Sequence, residues 1–332
     1  MNRRITVPTG SPYTKVMGLG VYRPSRVVSN AEICERIDSS DEWIRTRSGI
    51  IERRWATEDE SLIDMSVAAA RDAVKAAGIT PEQVGVLIEA TSTYLMNTPA
   101  GAVEIARQVG CTNAAAFDIS AACAGFCHAV ALGSDMIRAG TAEYVVVIGA
   151  EKLSTFTDQE DRSTAFIFAD GAGAVVLGPS DVAGIGPVVW GTDGEQGDAI
   201  RQNKDFVTLI NTGEPGYVRM DGQKVFRWAV YSMIPVARKA LEAAGVTVDE
   251  LDAFIPHQAN LRIIDALARG LKLPESVAIA RDIERQGNTS AASVPLAMHA
   301  MLESGEARSG DLALIMGFGA GLVYAAQVIT LP

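Results

Sequence analysis

The chain has 332 residues, 48% of them hydrophobic and 21% charged, which is globular content with enough length for two core-bearing units. Its formal charge of −11 argues against a nucleic-acid binder, and no run reaches the roughly 18 apolar residues of a membrane span. Four cysteines (Cys34, Cys111, Cys123 and Cys127) are too few and too scattered for a disulfide scaffold, and the start lacks a signal-peptide pattern, so a cytoplasmic protein is expected.

In chain order, residues 1–12 read as a short frayed tail. Residues 70–88, ARDAVKAAGITPEQVGVLI, then read as a helix closed by Gly78, a short acidic turn and an apolar strand. The pattern returns 167 positions later: residues 237–255, ARKALEAAGVTVDELDAFI, are identical in eight of nineteen columns and place Gly245 where Gly78 stood. Further on, VVVIG at 145–149 answers LALIMG at 312–317, and DGAGAVVL at 170–177 answers FGAGLVYA at 318–325. Apolar strands alternating with helical crossovers predict an α/β fold built from two similar halves, 13–182 and 183–332, about a pseudo-twofold axis.

Residues 117–126, FDISAACAGF, read as a strand, a small-residue turn and the start of a helix. Cys123 falls at or near that start, where backbone N–H groups and the helix dipole lower a thiol pKa and favour the thiolate. Cys127, one turn along, reads as a core residue. Of the three histidines, His257 ends an apolar run in FIPHQAN, at the strand end where open α/β folds collect ligands. His128 and His299 lie within helical patterns and read as packing or surface residues. Asn288 in GNTSAAS lies 165 positions after Cys123, so the repeat places it at the second half's counterpart of the cysteine turn; a Gly-Asn pair alone is also an ordinary turn. The glycines at 319 and 321 precede a strand rather than open a helix, unlike a dinucleotide fingerprint, and no cluster has metal-ligand spacing.

Taken together, SAACAGF, PHQAN and GNTSAAS resemble the β-ketoacyl-acyl carrier protein synthase III family, and IDSSDEWIRTRSGI near the start and GFGAGLVYA near the end extend the resemblance over nearly the whole chain. The resemblance implies a five-layer αβαβα thiolase-like fold, a homodimer and a Cys-His-Asn triad on Cys123, His257 and Asn288. It implies an acyl-CoA primer carried on Cys123, an oxyanion hole from the backbone N–H groups of Cys123 and Ala320, and condensation with malonyl-acyl carrier protein. No metal or redox cofactor is expected, coenzyme A entering only as its thioester. By the same resemblance, Trp43 and Arg162 sandwich the adenine, Arg47 and Arg262 meet phosphate, and Phe226, Arg227 and Asn260 line the passage. The loop 94–99 is expected to cross the dimer interface, with Thr98 closing the neighbour's acyl tunnel. Fatty-acid initiation leads over a priming ketosynthase or acyltransferase of a polyketide pathway, and over a non-catalytic partner subunit, which would lack the nucleophile.

Overall fold

The computed structural model describes residues 5–332. The first half begins with β1 (Tyr13–Tyr22). A small lobe follows, in which β2 (Arg26–Ser29) and β3 (Glu52–Trp55) pair antiparallel around α1 (Asn30–Cys34) and α2 (Asp41–Ser48). Next come α3 (Leu62–Ala76), β4 (Val84–Ala90), α4 (Gly101–Val109), β5 (Ala115–Ile119), α5 (Gly125–Arg138), β6 (Tyr144–Lys152) and β7 (Asp170–Ser180). The second half runs β8 (Val189–Thr192), β9 (Ile200–Gln202), α6 (Phe206–Thr212), β10 (Val218–Met220), α7 (Gly222–Ala244), β11 (Ala253–Pro256) and α8 (Leu261–Leu271). It closes with β12 (Ala278–Ile279), α9 (Ile283–Gln286), α10 (Ser293–Ser304), β13 (Leu312–Gly319) and β14 (Val323–Thr330).

The repeat read from the sequence is a repeat of topology. One sheet has the order β5-β4-β6-β7-β1 and the other β12-β11-β13-β14-β8. In each, the first two pairings are parallel and the last two antiparallel. Gly78 and Gly245 take matching left-handed angles, φ 68° and 67°, just past the two repeated helices. Each is followed by a reciprocal cap, Thr80 with Gln83 and Thr247 with Glu250.

The layers follow from which strand faces are apolar. β6 is buried on both faces, so its run is continuously apolar rather than alternating. Its outward residues Val146 and Ile148 pack under α3 and α4, and its inward residues Val145 and Val147 join Phe126, Val294 and Met298 of the central helices. That central cluster also takes Ile255, Ile315 and Ile329 from the second sheet, whose other face is covered by α7 and α8 through Met233, Leu241 and Leu267. The result is helix, sheet, helix pair, sheet, helix. Of the predicted tail, residues 1–4 lie outside the described residues. Pro8, Thr9 and Gly10 are packed against the end of α5, so closely that a Cβ on Gly10 would sit 1.9 Å from the Ile137 carbonyl oxygen. This stretch of the predicted frayed tail is therefore seated on the body.

Candidate active site

Two tight turns meet between the sheets. Ala122–Ala124 leads into α5 and Ser290–Ala292 into α10. Ala122 has φ 44° and Ser290 φ 47°, a left-handed conformation rare for residues with a side chain and associated with functional sites. The two are 168 positions apart, so the residue equivalent to Cys123 is Ala291. Asn288 stands three residues earlier, on the segment entering the turn. Its N–H donates to the Ile167 carbonyl at 3.0 Å, and its own carbonyl accepts from Ala169 N–H at 2.9 Å. The segment 167–169, bridged to Asn288 at Phe168, thus anchors the backbone that carries the amide.

Cys123 is partly exposed to that cavity, and the N–H groups of Cys123 itself and of Ala320 act on its sulfur as hydrogen-bond donors. Gly319, at the end of β13, supplies clearance, since a Cβ there would lie 2.8 Å from the sulfur. The expectation of a lowered thiol pKa is overturned. Burial pushes Cys123 up to about 11, outweighing the hydrogen bonds from Ser290 and the two N–H groups. At rest the group is a thiol. Cys127 is buried among apolar side chains, as read from the sequence.

His257 follows β11, with its N–H donating to Met316 carbonyl at 2.6 Å. Phe318 lies edge-on to the ring at 5.5 Å between centroids. Nδ1 lies 2.6 Å from Ser293 Oγ, and that oxygen accepts the Gln258 N–H at 3.3 Å. Ser293 thus holds the ring through Nδ1 and leaves Nε2 for the cavity. Burial lowers the His257 pKa to about 3, so the ring is neutral. Asn288 Oδ1 accepts the Ser290 N–H at 2.9 Å, which leaves the Nδ2 hydrogens for the cavity. Nε2 of His257 and Nδ2 of Asn288 thus stand beside a thiol, a set suited, with hydrogen on Nε2, to acyl transfer and to holding a developing enolate.

One cavity of about 860 Å³ is lined by Cys123, His257 and Asn288 at its depth and by Trp43, Arg47, Phe226, Arg227, Asn260 and Arg262 toward its mouth. The Arg162 guanidinium stacks over Trp43 at 4.9 Å, so the predicted adenine slot is closed by its own two walls. Arg262 lies over Phe226 at 5.3 Å. Asn260 is tied up structurally: its Oδ1 caps α8 at Arg262 N–H, 2.9 Å, and its Nδ2 donates to the Arg47 carbonyl at 3.0 Å. It ties the backbone at Arg47 to the backbone at Arg262. Thr98 is exposed, in the stretch 95–99, and is not among the residues lining this cavity. Ser293, Phe318 and Gly319 were not singled out from the sequence as site residues. Ser293 ends the GNTSAAS run at the start of α10. His128 stacks on Trp190 and His299 sits near Glu303, outside the site.

Comparison with known proteins agrees with this geometry. Residues 117–194 match the family described as 3-oxoacyl-[acyl-carrier-protein] synthase III, and residues 241–331 match its C-terminal region. A β-ketoacyl-[acyl-carrier-protein] synthase III of Streptomyces glaucescens is 55% identical over 331 residues, 99% of each chain. Among solved structures, the priming β-ketosynthase of the R1128 polyketide pathway superposes with TM-score 0.96 at 46% identity, covering 100% of this chain and 99% of that one. The 3-oxoacyl-[acyl-carrier-protein] synthase III of Aquifex aeolicus gives 0.88 at 41% identity, covering 96% and 99%. With the fold, the paired turns and these matches in agreement, the chain belongs to the 3-oxoacyl-[acyl-carrier-protein] synthase III family of condensing enzymes.

Proposed function

We propose that this enzyme condenses an acyl-CoA primer with malonyl-acyl carrier protein, with loss of carbon dioxide, to give 3-oxoacyl-acyl carrier protein and so initiate fatty-acid synthesis. The observation that carries the reading is the meeting of one thiol with His257 and Asn288 in one cavity; on this reading His257 Nε2 and Asn288 Nδ2 serve as the two N–H donors. The Cys123 thiolate attacks the primer carbonyl, the N–H groups of Cys123 and Ala320 hold the oxyanion, and the coenzyme A thiolate departs. The malonyl thioester then loses carbon dioxide, and the two N–H donors hold the enolate oxygen. Its carbon attacks the acyl thioester, releasing the product and the Cys123 sulfur. Trp43, Arg162, Arg47, Arg262, Phe226 and Arg227 hold the coenzyme A portion; arginine suits phosphate because its charge persists and its donors are forked.

A second copy of the chain completes the site. β5 is an edge strand whose residues from Ala116 to Ile119 are only half-buried, with Leu95, Met96 and Val103 exposed nearby. An uncovered apolar edge of this kind favours pairing with another copy. In a homodimer the loop 94–99 reaches the neighbour's acyl tunnel. No described helix is long and apolar enough to cross a membrane, and the four cysteines are free, which supports a cytoplasmic setting. A priming role in polyketide assembly is the second reading, favoured by the likeness to the R1128 enzyme.

Intact-mass measurement after incubation with a panel of acyl-CoAs tests the chemistry. The parent and Cys127→Ala are expected to gain one acyl group and Cys123→Ala none; an adduct on Cys123→Ala would end this mechanism.

A further inference from the structure

The backbone to which Asn288 is bonded is itself held by the small lobe. The Ile167 carbonyl takes the Asn288 N–H, and the carbonyls on either side of it, those of Phe166 and Phe168, are taken by side chains of β3. Arg53 Nη2 donates to the Phe166 carbonyl at 2.9 Å, and Trp55 Nε1 donates to the Phe168 carbonyl at 3.0 Å. Just past β3, the Ala56 N–H donates to the Asp170 carboxyl at 2.7 Å, where β7 begins. The lobe thus grips residues 166, 168 and 170, while Asn288 is bonded to 167 and 169 between them.

Arg53 is fully buried, and its described hydrogen bonds all go to neutral oxygens: the Val28 and Phe166 carbonyls and Asn30 Oδ1. Burial lowers its pKa to about 10, so it still carries charge at neutral pH. A buried cation without a close counter-ion costs desolvation free energy, which makes it a poor space filler. What the guanidinium supplies, and an apolar side chain does not, is a planar set of donors in fixed directions. Asn30 is fixed in turn, its Nδ2 donating to Asp41 Oδ1 at 2.8 Å and to the Ile50 carbonyl at 2.9 Å.

The same strand meets the chain that leads into Asn288. The Ile51 N–H donates to the Glu284 carbonyl of α9 at 2.8 Å. Gly287 has φ 76°, and a Cβ there would lie 2.8 Å from the Cβ of Arg53. The residue immediately before Asn288 is therefore pressed on Arg53, and the segment bonded to Asn288 hangs from the same side chain.

We propose that Arg53 and Trp55 are positioning residues for the condensation half-reaction, setting through residues 166–169 where the Asn288 amide stands. Neither lines the cavity, and Cys123 sits on the other turn with its N–H donors on Cys123 and Ala320, so acylation does not draw on them. The proposal rests on the reading of Asn288 as a donor to the enolate.

Two variants test it. Trp55→Phe keeps an aromatic ring and deletes the donor to Phe168; Arg53→Met keeps much of the length and deletes every donor. Single-turnover acylation at saturating acyl-CoA is read by intact mass, followed by condensation of the acylated enzyme with malonyl-acyl carrier protein. Acylation should stay near the parent rate, while condensation slows about 10-fold in Trp55→Phe and about 10²-fold in Arg53→Met, the scale of a small misplacement of a reacting group's partner. The deciding measurement repeats Trp55→Phe in an Asn288→Ala background. Residues that act through one another are not additive, so Trp55→Phe should slow condensation no further there. A loss that persists without the amide overturns the proposal, because the tryptophan would then act through general structure, and so does a parallel fall in acylation. Should Arg53→Met not fold, Trp55→Phe decides by the same readouts. Condensation at the parent rate in Asn288→Ala would remove the reading of the amide and the proposal with it, whereas a slow Asn288→Ala beside a parent-like Trp55→Phe removes the positioning role alone.

Discussion

Ser293 fixes the orientation of the His257 ring, since its hydroxyl sits 2.6 Å from Nδ1 and is itself held by the Gln258 N–H. Ser293→Ala removes that orienting partner, so malonyl decarboxylation should slow by about 10- to 100-fold, as when the orienting partner of a histidine is lost. Cys123 acylation, measured by mass, should continue. His257→Ala and Asn288→Ala are expected to acylate as well but to condense about 10²-fold slower or worse. Stopped-flow rates of the two half-reactions check all three, and a fall in acylation as steep as that in condensation would overturn this division of labour. The pair His257 and Asn288 was legible because each sits in a short, distinctive motif at an element boundary. Ser293 was not, since serine at the start of an apolar helix reads as an ordinary terminal residue. The lowered Cys123 pKa was expected from its place before α5, but sequence position shows the helix end and not the protein that surrounds the sulfur.

At the scale of elements, the repeat was the most readable feature, because equal spacing of helix, acidic turn and strand needs no knowledge of contacts. Which side chains would meet across it was hidden, since Ala291 rather than Asn288 is the positional twin of Cys123. The mouth was partly legible: Trp43, Arg47, Phe226, Arg227, Asn260 and Arg262 line it, and Asn260 also serves as a helix cap. The loop after β4 is anchored by Thr91 and Thr93 on Glu151 and ends at the exposed Thr98. If this loop closes the neighbour's tunnel, Thr98→Phe shortens the space and should shift preference toward acetyl-CoA over isobutyryl- and longer acyl-CoAs. Each methylene excluded forfeits roughly 1 kcal/mol of apolar burial. Competition assays on both proteins would show it, and an unchanged kcat/KM ranking would remove Thr98 from the account.

For the whole molecule, buried ionisable groups set opposing limits on stability. Burial and the nearby Asp118 raise Glu89 to about 8 from its ordinary 4.5. Its contribution is therefore complete below 4.5 and lost as pH climbs through about 8. Asp170, at about 6, acts in the same direction. His257 does the reverse: lowered to about 3 from 6.5, its contribution is present above 6.5 and fades as pH falls. Glu89→Gln should therefore raise the melting temperature at about pH 9 while leaving it near the parent value at about pH 5. Equal melting temperatures at the alkaline pH would show that Glu89 ionises without cost.

The passage from the first half to the second is itself stitched to both sheets. Gly184 N–H donates to the Thr14 carbonyl of β1, and Gly186 N–H donates to the Val328 carbonyl of β14. The Gly184 carbonyl in turn accepts from Thr330 N–H. Together with a central layer shared by the two sheets, these stitches leave no hinge between the halves. The catalytic frame is a fixed jig rather than a pair of jaws, so the spacing between sulfur and amide is the same for every primer. Choice among primers then falls to parts outside the frame; on the proposed dimer these include the loop 94–99. On that proposal, re-cutting the loop would alter the primer range while the frame stays as it is.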